Sequence, residues 1–214
     1  DDELINIEIT VEEGRKYYFG DISFVGNTKY DTPLLRSILK INRGDIYDSQ
    51  HLNERVSFDA NGNDVASIYL NNGYLFSQVV PIEKNVQNDT IDVEIRIQEG
   101  RQATIRKVSI TGNERTNDHV IYREVRTRPG DLFSKAMIQR TIRELSQLGY
   151  FDQTQIGVNP VPDPQTGTVD LEYTVVEKST SQLELQGGWG ANRVVGTLGL
   201  NFNNFSAKNI GNKR

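Results

Sequence analysis

VSITGNERTNDHVIYREVRTRPGDLF, Val108–Phe133, has a counterpart upstream in ISFVGNTKYDTPLLRSILKINRGDIY, Ile22–Tyr47. Gly26-Asn27 recurs as Gly112-Asn113, Gly44-Asp45 as Gly130-Asp131, and Glu13-Gly14 as Glu99-Gly100, all at a spacing of 86. The spacing falls to 76 where Asn72-Gly73-Tyr74 meets Leu148-Gly149-Tyr150. A ten-residue insertion in the first copy accounts for the drop, and FDANGNDV at Phe58–Val65 is the place for it. An ordered series of matches at one spacing reads as tandem modules.

Each copy opens on a short strand. Ile22 and Phe24 correspond to Val108 and Ile110, and a period of two puts each pair on one face. Glycine tolerates positive φ, so Gly26 and Gly112 read as the turns that end these strands. Thr32-Pro33 opens a first helix, with Leu34, Leu35, Ile38 and Leu39 at helical spacing. Its counterpart, with Val120, Ile121 and Val125, has a weaker stripe. A second helix starts at Asp48 and at Ser134, both residue types suited to N-caps. Ile138, Ile142 and Leu145 share one face of the second copy's helix. Asn61-Gly62-Asn63 interrupts the first copy's helix, and Val65, Ile68 and Tyr69 resume its apolar side. Gly73 and Gly149 mark the helix ends.

Two strands close each copy. Ile91, Val93, Ile95 and Ile97 alternate with Asp92, Glu94, Arg96 and Gln98, and Val169, Leu171, Tyr173 and Val175 repeat the pattern. One face is buried and the other wet, as in an antiparallel hairpin laid on helices. The expected fold is therefore α+β, with tandem β-α-α-β-β modules at residues 15–99 and 100–178. Ile5, Ile7, Ile9 and Val11 echo the last strand once more, so residues 1–14 read as the end of a preceding module. The opening DDELINIEI has neither a basic nor an apolar leader region, as expected of a fragment or a processed chain.

The pattern changes over residues 179–214. Leu183, Leu185 and Trp189 fall on one parity of a strand, and Val194, Leu198, Leu200 and Phe202 on one parity of a second. A lone hairpin is marginal in water. Alternation of this kind suits the start of a transmembrane β-barrel, or equally an amphipathic hairpin in a soluble sheet. Trp189 reads accordingly as an interface anchor or as packing within such a hairpin.

Composition excludes several function classes. Of 214 residues, 36% are apolar and 25% charged, as in a folded chain with small cores. The net charge of −5, without a Lys/Arg cluster, argues against a nucleic-acid partner. The absence of Cys removes disulfides, thiolate metal sites and cysteine nucleophiles. No run of 18 apolar residues occurs, so no transmembrane helix is expected.

No catalytic constellation appears. The segment from Asp59 to Asp64 resembles the opening of a calcium loop, but its sixth position is Asp64 and its twelfth Leu70, so a solvated loop is the better reading. His51 and His119 lack clustered partners. No phosphate-binding, dinucleotide-binding or nucleophile-elbow motif occurs. Glu94 and Glu172 read as solubilising residues on wet strand faces, and Tyr74 and Tyr150 as core aromatics. No enzyme activity, metal or cofactor is expected.

The series GN, GDIY/GDLF and NNGY/LGYF, followed by VDLEYTVVEK at Val169–Lys178, LELQGGWG at Leu183–Gly190 and FNNFSAKNIGNK at Phe202–Lys213, resembles the Omp85 superfamily in its outer-membrane assembly branch. The resemblance implies two POTRA modules, each a three-stranded sheet on two helices, in the periplasm of a Gram-negative bacterium. They would precede a sixteen-stranded barrel in the outer membrane, of which residues 179–214 hold the first two strands. It implies a scaffold that binds unfolded outer-membrane proteins by strand addition and docks accessory lipoproteins. A secretion or translocation pore of the same superfamily and a structural or adhesion array are the alternatives.

POTRA sheets place the last strand centrally, which leaves the penultimate strand at an edge open to strand addition. The candidate edges are Tyr74, Leu75, Phe76, Ser77, Gln78, Val79 and Val80 in the first module. In the second they are Phe151, Asp152, Gln153, Thr154, Gln155 and Ile156, running on to Val158. The resemblance makes the strand with Leu183, Leu185 and Trp189 the candidate barrel seam.

Overall fold

A computed structural model describes residues 14–178 in full, and the backbone of Ser181–Gly190 and Arg193–Phe202. The strand expected around Ile5–Val11 lies outside the described residues.

The first module runs β1 (Tyr18–Val25), α1 (Thr32–Leu39), α2 (Ser49–Ser57), α3 (Val65–Asn71), β2 (Gln78–Gln87) and β3 (Thr90–Gln98). Short polar side chains start the helices. Asp31 accepts the N–H of Leu34 at 3.2 Å, and Asp48 those of Gln50 and His51 at 2.9 and 3.2 Å. The insertion breaks the second helix as expected. Asp64 then restarts it as α3, its carboxylate accepting Ser67 N at 2.8 Å and Ser67 Oγ at 2.6 Å.

Asn88 and Asp89 both take positive φ, 49° and 61°, the backbone of a two-residue hairpin turn matched to strand twist. β2 therefore pairs antiparallel with β3. β1 reaches the other side of β3 only after the chain has crossed the helices, and pairs with it in parallel. The closing strands thus form the expected antiparallel hairpin, and the parallel β1 makes the sheet mixed, in the order β1-β3-β2. Ile91, Val93, Ile95 and Ile97 of β3 meet Leu35, Leu39, Val56, Val65 and Tyr69 in the core. Full burial of each aliphatic side chain contributes roughly 1.5–3 kcal/mol.

The second module repeats the plan as β4 (Thr104–Thr111), α4 (Asp118–Tyr122), α5 (Lys135–Gln147), β5 (Gly157–Asp163) and β6 (Thr168–Thr174), with sheet order β4-β6-β5. Its weak first stripe yields a helix of five residues, in which Ile121 is buried. Without the insertion, α5 runs unbroken for 13 residues. Ile138 and Leu145 are buried as expected, and Thr141 is buried beside them in place of Ile142. Its hydroxyl accepts Arg126 N and donates to the Met137 carbonyl, both at 2.9 Å.

The Gly-Asn repeat does the same work in both copies. Gly26 and Gly112 have φ of 89° and 90°. A Cβ there would lie 2.1 Å from the Ile97 carbonyl oxygen and 1.9 Å from that of Val175, so the end of β1 or β4 packs directly on neighbouring backbone. Asn27 and Asn113 donate through Nδ2 to the carbonyls of Tyr30 and Thr116, each at 3.0 Å. Glu99 accepts Lys29 N at 2.8 Å and a hydrogen bond from the Thr28 hydroxyl. Glu177 holds the matching turn of the second module through Arg115 N and Thr116 N.

β7 (Ser181–Gly190) and β8 (Arg193–Phe202) form an antiparallel pair in register from Ser181↔Phe202 to Gly190↔Arg193. Two strands were expected here, and no barrel is formed by the described residues.

Candidate strand-docking edges

In both modules the last strand is central, flanked by the first and penultimate strands. Each sheet therefore has two edges, and the structure treats them differently.

The start of the first-strand edge is covered by the module's own chain, and one carbonyl farther along is met by a side chain. In the first module the Gly44–Tyr47 motif lies along it. Gly44 N donates to the Phe19 carbonyl, Phe19 N to the Asp45 carbonyl, and Tyr47 N to the Tyr17 carbonyl, all at 2.8 Å. Farther along, Arg36 donates from Nη2 to the Ile22 carbonyl at 2.8 Å. In the second module the end of the Gly130–Phe133 motif lies there. Leu132 bridges to Thr104, and Phe133 N donates to the Ala103 carbonyl at 3.0 Å. At the position corresponding to Arg36, Tyr122 donates its hydroxyl to the Val108 carbonyl at 3.4 Å. The segments that carry the repeated Gly-Asp motif thus cover the start of an edge, a role that spacing alone did not reveal.

Among the described residues no backbone segment is laid along the penultimate-strand edge, though Ser57 Oγ reaches the Val79 carbonyl in the first module at 3.0 Å. β2 and β5 begin later than the sequence reading placed them. In the first module Gln78, Val79 and Val80 begin β2, whereas Tyr74, Leu75, Phe76 and Ser77 precede it. The chain spends those residues on turns after Gly73. Tyr74 N donates to the Tyr69 carbonyl at 3.0 Å, Leu75 N to Gly73 at 2.8 Å and Ser77 N to Tyr74 at 3.1 Å.

In the second module Phe151 makes only an isolated bridge, to Glu177, and Gln153, Thr154 and Gln155 form a 3-10 turn. Asp152 holds that turn, accepting Thr154 N at 3.0 Å, Thr154 Oγ1 at 2.8 Å and Gln155 Nε2 at 2.7 Å. These local bonds compete with strand pairing, and they hold the Asp152 carboxyl below its ordinary pKa. Ile156 then leads into β5 at Gly157.

Two aromatic expectations divide. Tyr74 packs against the core, its ring 6.0 Å from that of Tyr69. Tyr150 is half-exposed, and it is its neighbour Phe151 that is buried.

Beside β2, the outer face of the first sheet carries a shallow cavity of about 280 Å³ lined by Gln78, Val80, Arg96, Ile97 and Gln98. Glu94 was expected on a wet face. It does lie there, yet it is only 8% exposed. Lys84 and Arg96 each reach it at 2.7 Å, and their hydrogen bonds, that of Lys84 first, hold its carboxyl below the ordinary range. His51 and His119 sit on α2 and α4, and among the described residues no group of three or more metal-ligating side chains comes together. No described helix is long and apolar enough to cross a membrane. Leu183, Leu185 and Trp189 lie on β7, paired with Leu200, Leu198 and Val194.

The model of the POTRA family, described as surface antigen variable number repeat, matches twice, at residues 17–100 and 103–178. The chain is similar to the outer membrane protein assembly factor BamA of Neisseria meningitidis, at 31% identity over 86% of this chain and 22% of that protein. It spans about a fifth of the length of the curated relatives it matches (22%, 21% and 22%). Among solved structures it resembles BamA of Haemophilus ducreyi lacking POTRA domains 1–3, with a TM-score of 0.63 at 21% identity over 82% of this chain and 32% of that one. It also resembles POTRA domains 3–5 of Haemophilus influenzae BamA, with a TM-score of 0.57 at 18% identity over 78% of this chain and 69% of that one. These two likenesses concern the fold. The chain belongs to the POTRA family and carries two of its domains in succession.

Proposed function

We propose that this chain is the periplasmic scaffold of an outer-membrane β-barrel assembly factor, and that it holds unfolded outer-membrane proteins by strand addition at its penultimate edges. The observation that carries this reading is the sheet order, which leaves β2 and β5 outermost while the opposite edges are covered at their starts. An extended chain laid there gains backbone hydrogen bonds largely independent of its own sequence. That suits a scaffold serving many substrates. The similarity to BamA proteins supports the substrate class.

In the same reading the modules sit in the periplasm, accessory lipoproteins dock on surfaces away from the edges, and β7–β8 open the membrane barrel. Leu183, Leu185 and Trp189 then belong to the seam strand. Backbone amide shifts on adding an unfolded outer-membrane-protein peptide test the docking. Shifts concentrated in Gln78–Gln87 or Gly157–Asp163 are expected, and shifts confined to the helices would reject strand addition.

A further inference from the structure

The two penultimate edges are not equivalent. The inference that follows rests on the strand-addition reading and decides between them. An added strand bonds to the N–H and C=O groups that point away from the sheet, which belong to alternate residues of the edge strand.

In β2, Pro81 stands opposite Ile95. Proline has no N–H to give to β3, so an edge strand tolerates it where the backbone points outward. The same alternation turns Val79 and Glu83 outward. Ser57 agrees with this, donating from Oγ to the Val79 carbonyl at 3.0 Å. The irregularity between Glu83 and Asn85 then makes Val86 the next outward residue. Val79, Glu83 and Val86 thus offer N–H donors, and Pro81 offers a carbonyl alone. Apolar side chains stand beside this edge. Val80 and Val86 are about half-exposed, and Phe58, which follows Ser57, is 82% exposed.

β5 reads GVNPVPD and is outermost beside β6. Pro160 and Pro162 are two residues apart, so their backbones share one orientation, and the missing donors place it outward. Of the outward positions 158, 160 and 162, only Val158 keeps an N–H. An incoming strand there would leave two of its own carbonyls without partners.

We propose that an extended, amphipathic client segment docks on β2 of the first module and is refused by β5 of the second, the two prolines being the cause. The first module is then the gripping unit. The second presents a blunted edge along which a client passes without pairing.

Amide shifts of the 214-residue chain, recorded with a synthetic RVVGTLGLNF peptide as the extended probe, test this. In the unmodified chain, shifts are expected along Val79–Val86 and not along Val158–Pro162. Pro160→Val with Pro162→Thr should open β5, tightening its affinity at least about tenfold. Pro81→Val should tighten binding at β2 about fivefold, since it restores one donor. Equal responses of both edges in the unmodified chain would overturn the proposal. So would a β5 that stays silent in the double variant while β2 responds, or a β2 affinity indifferent to Pro81→Val. Silence of both edges in every variant would remove the strand-addition reading itself, and this inference with it.

Discussion

The carboxylate of Glu177 accepts the backbone N–H of Thr116 at 2.6 Å, joining the chain just past β6 to the turn that follows β4. Burial pushes this carboxyl up. Hydrogen bonds from Thr116 and Arg115 N–H, with the Arg115 charge, outweigh burial and hold it below its ordinary value. Its stabilising contribution is complete above the unfolded glutamate pKa of about 4.3. It is lost as pH falls through the lowered folded value. Glu177→Gln should cost the second module about 1–2 kcal/mol near neutral pH. Urea titrations at pH 7 and pH 3 check this, because the difference between the two proteins should shrink at the lower pH.

Gly112→Ala should be among the most damaging single changes, costing at least about 2 kcal/mol. The new methyl meets the Val175 carbonyl oxygen at 1.9 Å and also strains a φ of 90°. Gly44→Ala separates the two causes. Its φ is likewise 90°, but a Cβ there meets open space, so the strain alone, about 1 kcal/mol, should appear. Thermal midpoints of the two variants measure the contrast. Equal losses would contradict the close approach at Gly112.

Tyr173 is fully buried on β6 and its hydroxyl lies 3.0 Å from Thr127 Oγ1. Burial raises its pKa against the smaller, opposing effects of bonds with Thr127 and Thr141. Tyr173→Phe keeps the ring but leaves buried hydroxyls short of a partner, at about 1–2 kcal/mol. Tyr173→Phe combined with Thr127→Val should recover part of that loss, which a double-mutant cycle in urea reads directly.

Asp48→Ala removes the side chain that caps α2 through two backbone N–H groups. A loss of about 1 kcal/mol is expected. Asp48→Asn, which retains a capping oxygen, should restore most of it.

Much of this architecture was legible because its determinants are local. The spacing of 86 maps Gly26 onto Gly112, and both proved to be the same positive-φ turn at the same close approach. Alternation in β3 and β6 named the buried faces, and Asp48 was identified as a cap. Strand order is a long-range property that no spacing encodes, and the family resemblance supplied it. The starts of β2 and β5 were misplaced because Gly73 and Asp152 direct the following residues into turns, in a stretch whose apolar content also suits a strand. Glu94 looked solubilising because its cover comes from Lys84, a partner ten residues away in sequence and adjacent only across the hairpin. The role of the Gly-Asp motifs was invisible for the same reason, since Phe19 and Asp45 meet only after folding.

The Gly44–Tyr47 and Gly130–Phe133 segments have a consequence for a protein built of repeats. Identical folding units on one chain could zip side by side into a fibril-like ribbon, each copy templating the next. Occupying the start of one flank in both described copies opposes growth from that side. A client strand on the opposite flank, as proposed for the first module, then has no second row of the host's own units to bridge to. Duplicating the module thereby also duplicates its guard against runaway polymerisation.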